Sequence, residues 1–131
     1  MLNTRIFGAF AVLLTLAAGV ILIGSCESKQ MQVAARITGG NPKSGREKIT
    51  RYGCPACHEI PGINVAKGRV GPPLEHIASR TYLGGEIPNT PRNIMLWVRT
   101  PRAVEPHTAM PDMGVTEDDA RDITAYLYSL P

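Results

Sequence analysis

Cys54-Pro55-Ala56-Cys57-His58 is the stretch on which the reading of this 131-residue chain turns. Cys-x-x-Cys-His is the spacing at which a protein captures haem covalently: two thiols add to the two vinyl groups, and the adjacent imidazole binds the iron. The spacing follows from geometry. One turn of backbone must set two thioether bonds against neighbouring pyrrole edges while the next side chain points at the metal. Two other chemistries use part of the pattern. A Cys-Pro-Ala-Cys dithiol at a helix N-terminus would form a thioredoxin-like redox pair, but that arrangement requires apolar strands in a βαβ pattern, and none is visible between Gly39 and Pro91. A zinc site needs four ligands, so Cys54, Cys57 and His58 would have to recruit His76 or His107.

Working outward, the N-terminal side opens with Arg5 followed by an uncharged run from Ile6 to Ile23. That run has the length of a membrane span and also resembles an export signal. It ends in Ile23-Gly24-Ser25-Cys26, which resembles a bacterial lipobox, the site at which a cysteine receives diacylglycerol before cleavage. With Cys54 and Cys57 assigned to haem, no pair remains for a disulfide, and Cys26 is either lipidated or an incidental residue of an uncleaved anchor. Both readings tether the following domain to a membrane on its periplasmic, extracytoplasmic face. The expected organisation is a signal peptide or anchor over 1–25, a lipidated cysteine and linker over 26–41, and a haem domain over 42–131. Glu27 to Asn41 is polar and small and closes on Gly39-Gly40-Asn41-Pro42, so it reads as a flexible tether reaching about 50 Å when stretched.

Charge does not point to nucleic acid: 14 basic residues against 11 acidic ones give a formal net charge of only +3. Its distribution says more. Lys43, Arg46, Lys48, Arg51, Lys67 and Arg69 flank the Cys-x-x-Cys-His stretch, where they would steer a partner electrostatically. Asp112, Glu117, Asp118, Asp119 and Asp122 crowd the C-terminal end. Both phenylalanines, Phe7 and Phe10, lie in the N-terminal run, so the rest of the chain holds only Trp97 and four tyrosines as aromatics. Such a domain is small for an unaided core, and the apolar macrocycle of a haem supplies what is missing.

The chain reads as all-α. Lys43 to Gly53 forms a first helix, with Gly45 and Ile49 four apart on one face. Pro73 to Arg80 forms a short helical turn. Thr90-Pro91 is an N-cap followed by proline at the first helical position, opening a helix that Thr100-Pro101 stops. Thr116, with Asp119 three residues on, resembles a capping box at the start of a last helix carrying Ala120, Ile123, Ala125, Leu127 and Leu130. No stretch alternates convincingly as a strand.

A haem iron with one axial imidazole has either a second ligand or an open position, and that separates an electron carrier from a gas binder. The candidates downstream are Met110, in the loop Pro106-His107-Thr108-Ala109-Met110-Pro111, then Met113, and the histidines His76 and His107. Here the sequence closely resembles the class I cytochrome c family over nearly all of residues 43 to 131. In that family the axial methionine lies in a loop just before the C-terminal helix, commonly as Met-Pro, followed by a glycine and an Ala-Tyr-Leu. Met110-Pro111, Gly114 and Ala125-Tyr126-Leu127 match this, so the resemblance selects Met110 over Met113. It also implies that the Pro72 carbonyl accepts a hydrogen bond from His58, that Arg80 lies near a haem propionate, and that Trp97 lines the haem pocket. Departures are visible too: Gly45 and Ile49 are displaced by one residue from the usual distance to the haem motif, and Ile49 is not aromatic. The expected packing of Gly45 against Tyr126 rests on the resemblance alone. The Gly-rich segment from Leu83 to Asn89 is short enough to leave one haem edge exposed.

The implied function is that of a monohaem c-type cytochrome, carrying single electrons between respiratory or redox complexes and tethered to the membrane. The covalent haem c would be its cofactor and redox proteins its partners, with no small-molecule substrate. The rival readings are a haem subunit of a larger oxidase or dehydrogenase, and a sensory haem protein whose iron binds a gas. No paired catalytic carboxylates, nucleophile constellation or second cofactor motif would make the chain an enzyme by itself.

Overall fold

The computed structural model describes residues 29–131. The apolar run Ile6 to Ile23 and the lipobox Cys26 lie outside them. Among the described residues no helix is long and apolar enough to cross a membrane.

Five helices carry the fold. Residues 29–38 are helical (α1); α2 spans Pro42–Arg51, α3 Pro91–Arg99, α4 Pro101–Val104 and α5 Glu117–Tyr128. The start signals behave as their chemistry dictates. The Asn41 side chain accepts from the N–H groups of Lys43 and Ser44 at the head of α2, and Thr90 does the same for Asn93 at α3. Each side chain satisfies donors that the first helical turn leaves without partners. Thr116 accepts from Asp119 N at 3.2 Å. The reciprocal half of the expected capping box does not form, because the Asp119 carboxylate is drawn to α2 instead.

The core is built where α2 crosses α5, with Ile49 from the first helix and Ala120, Ile123 and Leu127 from the last all buried. Gly45 sits at the crossing. A Cβ there would overlap the main-chain carbonyl of Asp122, so glycine alone lets the two backbones approach this closely. This corrects the expected packing of Gly45 against Tyr126: the glycine meets α5 one turn earlier, at Asp122–Ile123. The Tyr126 hydroxyl donates to the Pro61 carbonyl at 2.7 Å. The crossing is also clamped at its edge. Lys48 Nζ lies 2.6 Å from both Asp119 Oδ1 and Asp122 Oδ2, and the Tyr52 hydroxyl donates to Asp119 Oδ2 at 2.7 Å.

Two expectations are corrected. The stretch read as a flexible tether is helical from residue 29 to 38. Ala34 is 1% exposed, and Asn41 N donates to Asp122 Oδ1 at 2.8 Å. Small side chains suggested flexibility, but they are what allows a helix to pack closely. Residues 82–88, expected without strands, form an antiparallel hairpin of Tyr82–Leu83 (β1) and Ile87–Pro88 (β2). Gly84 and Gly85, at φ of 58° and 83°, make its turn, a conformation side chains disfavour. Two-residue strands are too short to show alternation in a sequence.

Candidate haem site

Between the helices lies a cavity of about 500 Å³. The segment after α2 enters it first. Gly53, at φ 74°, breaks the helix, and Cys54–Ala56 follow as a single 3-10 turn that returns the chain toward His58. His58 N and Cys57 N both donate to the Cys54 carbonyl, at 3.0 and 3.2 Å. Cys54, Cys57 and His58 thereby line one wall. Neither thiol is in a disulfide, and before any attachment burial pushes the Cys54 thiol above its ordinary pKa.

His58 is held from behind. Its Nδ1 is 2.8 Å from the Pro72 carbonyl oxygen, which fixes the tautomer as Nδ1–H and turns Nε2 away from the main chain. Gly71 presses on the same ring: a Cβ at that position would overlap the imidazole. The Gly71 N–H donates to the Cys57 carbonyl at 2.9 Å, locking the Gly71-Pro72 segment to the motif it orients.

Met110 lines the cavity as well. It sits in a loop closed by its own side chains: Glu105 Oε1 accepts from His107 N at 2.7 Å, Thr108 Oγ1 from Met110 N at 3.2 Å and Asp112 Oδ1 from Gly114 N at 2.9 Å. Met113 also lines the cavity, is 39% exposed and reaches toward Gly53. Neither His76 nor His107 lines the cavity. The main-chain N–H of His76 donates to the Pro131 carbonyl at 2.7 Å.

Arg80 and Trp97 complete the set that the sequence proposes. The Trp97 ring stands against Gly84 in the hairpin turn. Arg80 is not a free surface charge: its Nη2 donates to the Pro73 carbonyl and, at 3.2 Å, to that of Glu75, tying down the segment that follows Pro72. Two of the six basic residues expected to face a partner are also engaged internally. Arg46 Nη2 donates to the Gly62 carbonyl at 2.6 Å, and Lys48 is held by Asp119 and Asp122. What the sequence reading missed is this Lys48–Asp119–Tyr52 connection, through which the α2/α5 crossing reaches a cavity-lining tyrosine. Its members are far apart in sequence and carry no local signature.

The rival chemistries lack their parts. No three His, Cys, Asp or Glu side chains among the described residues cluster as a metal site, and the two-stranded hairpin is the only sheet among them. An apolar cavity lined by two cysteine thiols, an oriented imidazole and the thioether of Met110 fits a covalently bound haem.

The cytochrome c family model matches residues 43–131. The chain belongs to the cytochrome c family. As a c-type cytochrome it has the small all-α fold described above and carries one covalent haem c with its iron; its chemistry is haem-based electron transfer with redox proteins as partners. No curated protein and no solved structure matches the chain.

Proposed function

We propose that this c-type cytochrome is a membrane-tethered carrier that shuttles single electrons between respiratory or redox complexes on the extracytoplasmic side. In this reading Cys54 and Cys57 would hold the haem, and His58 and Met110 would bind its iron. The observation that supports it most is the meeting, around one cavity, of the Cys-x-x-Cys-His turn, the Pro72 carbonyl on His58 Nδ1 and the self-closed loop that carries Met110.

The bound haem supplies a one-electron iron couple, and a thioether ligand favours its ferrous state more than a second imidazole would. The chain's own residues serve that couple by staying still. Pro72 and Gly71 keep His58 in one tautomer and one orientation. Thr108, Glu105 and Asp112 stiffen the methionine loop, which would let Met110 serve the iron in both oxidation states. Ile94, Leu83 and Leu127 wall the cavity with apolar surface and exclude water, which favours the less charged iron state. Arg80 anchors the Pro73–Glu75 segment beneath the imidazole while lining the cavity, where it also sets a positive charge for a propionate. The tether is supported by the uncharged run Ile6 to Ile23 and by Cys26.

The visible spectrum tests the reading. The wild-type protein is expected to be low-spin, with the weak charge-transfer band of a sulfur–iron bond, and inert to carbon monoxide when reduced. Met110→Ala is expected to lose the band and bind carbon monoxide, while Met113→Ala keeps both wild-type properties. A wild-type iron that is high-spin or takes up carbon monoxide readily would move the protein to the gas-binding class.

A further inference from the structure

We propose that the outer face of α1, carrying Val33 and Ile37, lies on the headgroup surface of the lipid bilayer and fixes the orientation of the haem domain over the membrane. The proposal rests on the tethered reading above and goes beyond it, because a tether alone leaves the domain free to turn.

The inner face of α1 is occupied. Ala34 is buried, and Met31, Ala35 and Thr38 are partly covered, a spacing of three and four residues that marks one side of a helix. The other side carries Val33 and Ile37, four residues apart, at 47% and 55% exposure. The next turn adds Arg36, also exposed. Two aliphatic side chains beside a cation, on a helix whose other exposed residues are polar, suit an interface where apolar groups enter the acyl boundary and a guanidinium meets anionic headgroups.

The position of this face in the chain selects the occupant. Val33 is seven residues beyond Cys26, a span of no more than about 25 Å even if fully extended. A lipid on Cys26 or an anchor ending there therefore holds the face close to the membrane at all times. At such an effective concentration a contact of two side chains suffices, whereas it would not bind from solution. A second protein copy is the poorer occupant, since a stable interface buries about 800 Å² on each partner, more than two side chains offer. With α1 packed through Ala34 and joined to α5 through Asn41 and Asp122, a helix resting on the bilayer orients the whole cavity with it.

The full-length holoprotein, haem kept reduced, would be placed in vesicles of phosphatidylethanolamine and phosphatidylglycerol, with nitroxide labels on V33C, I37C and, as a control, V65C; Val65 is 71% exposed. The expected result is a ratio of oxygen to nickel-chelate collisions several-fold higher at positions 33 and 37 than at 65, because oxygen concentrates in lipid and the chelate does not. Equal ratios at all three positions in protein that floats with the vesicles would overturn the proposal and leave the tether standing. Labels at 33 and 37 shielded from both reagents would overturn it in favour of a second copy. Protein that fails to float would overturn the tether, and this inference with it.

Discussion

The α2/α5 crossing and the cavity wall are built from the same two helices and end differently. At the crossing, protein atoms meet protein atoms: Gly45 rests on the Asp122 carbonyl, Ala120 is fully buried, and Lys48 closes the edge against Asp119 and Asp122. A few ångströms away Tyr52, Ile123 and Leu127, from the end of α2 and from α5, face the cavity. One region is complete as the chain folds; the other leaves apolar surface that only a bound group of haem's size and character covers. The crossing is therefore a frame that holds its shape around a prosthetic group, and the group is part of the core.

That contrast is breakable, most severely by removing the group. Replacing Cys54 and Cys57 with alanine abolishes thioether attachment. The expected outcome is a chain with no cooperative thermal transition in far-ultraviolet circular dichroism, because a domain this small lacks a sufficient core of its own. A sharp transition in that variant would mean that the crossing stabilises the fold alone. Attacking the frame instead, Gly45→Ala forces a methyl group into the Asp122 carbonyl. A loss of about 1–3 kcal/mol or somewhat more is expected for such overpacking, read by guanidinium unfolding of the holoprotein, with the haem spectrum of the folded state unchanged. Tyr126→Phe removes one hydroxyl from the Pro61 carbonyl and should cost about 1 kcal/mol in the same measurement.

The smallest effect is a slope. The Lys48 and Tyr52 hydrogen bonds hold the Asp119 carboxyl below the usual carboxylate range. At Asp122 burial pushes upward, but Lys48 and the Asn41 N–H outweigh it, and the net shift is again down. Depressed carboxyls contribute stability that is present above their ordinary range and lost as pH falls through the lowered values. Lys48, raised by the same two acids, contributes at neutral pH and loses its share only on the alkaline side, above the ordinary lysine range. Asp119→Asn should therefore flatten the acid limb of a stability–pH profile below about pH 4. An unchanged limb would assign the clamp no role in holding the frame.

Legibility in the sequence followed range. The helix starts at Thr90 and Thr116 were visible because a capping hydroxyl and the N–H that donates to it lie within three residues. The haem turn was visible because all its chemistry lies between Cys54 and His58. The Pro72 and Met110 positions came through resemblance, and the structure places both at the expected cavity. The helix at 29–38 was misread because its residues are small and polar, and the burial of Ala34 has no mark in the sequence. The hairpin at 82–88 was missed because pairing of two-residue strands is decided by a glycine turn and by Trp97 standing against it. Arg46 and Lys48 looked like steering charges, since nothing local announces a carbonyl 16 residues away or an acid on the last helix.

By itself, then, the sequence determined the chemistry: two thiols and an imidazole in one turn can be set by five consecutive residues, because covalent geometry fixes their separation. Tertiary structure alone decided which glycine bears the helix crossing, which cations are free, and which face of α1 is left outward. Those outcomes depend on backbones and charges brought together across 65 to 81 residues of chain, and closeness of that kind exists only once the helices have packed.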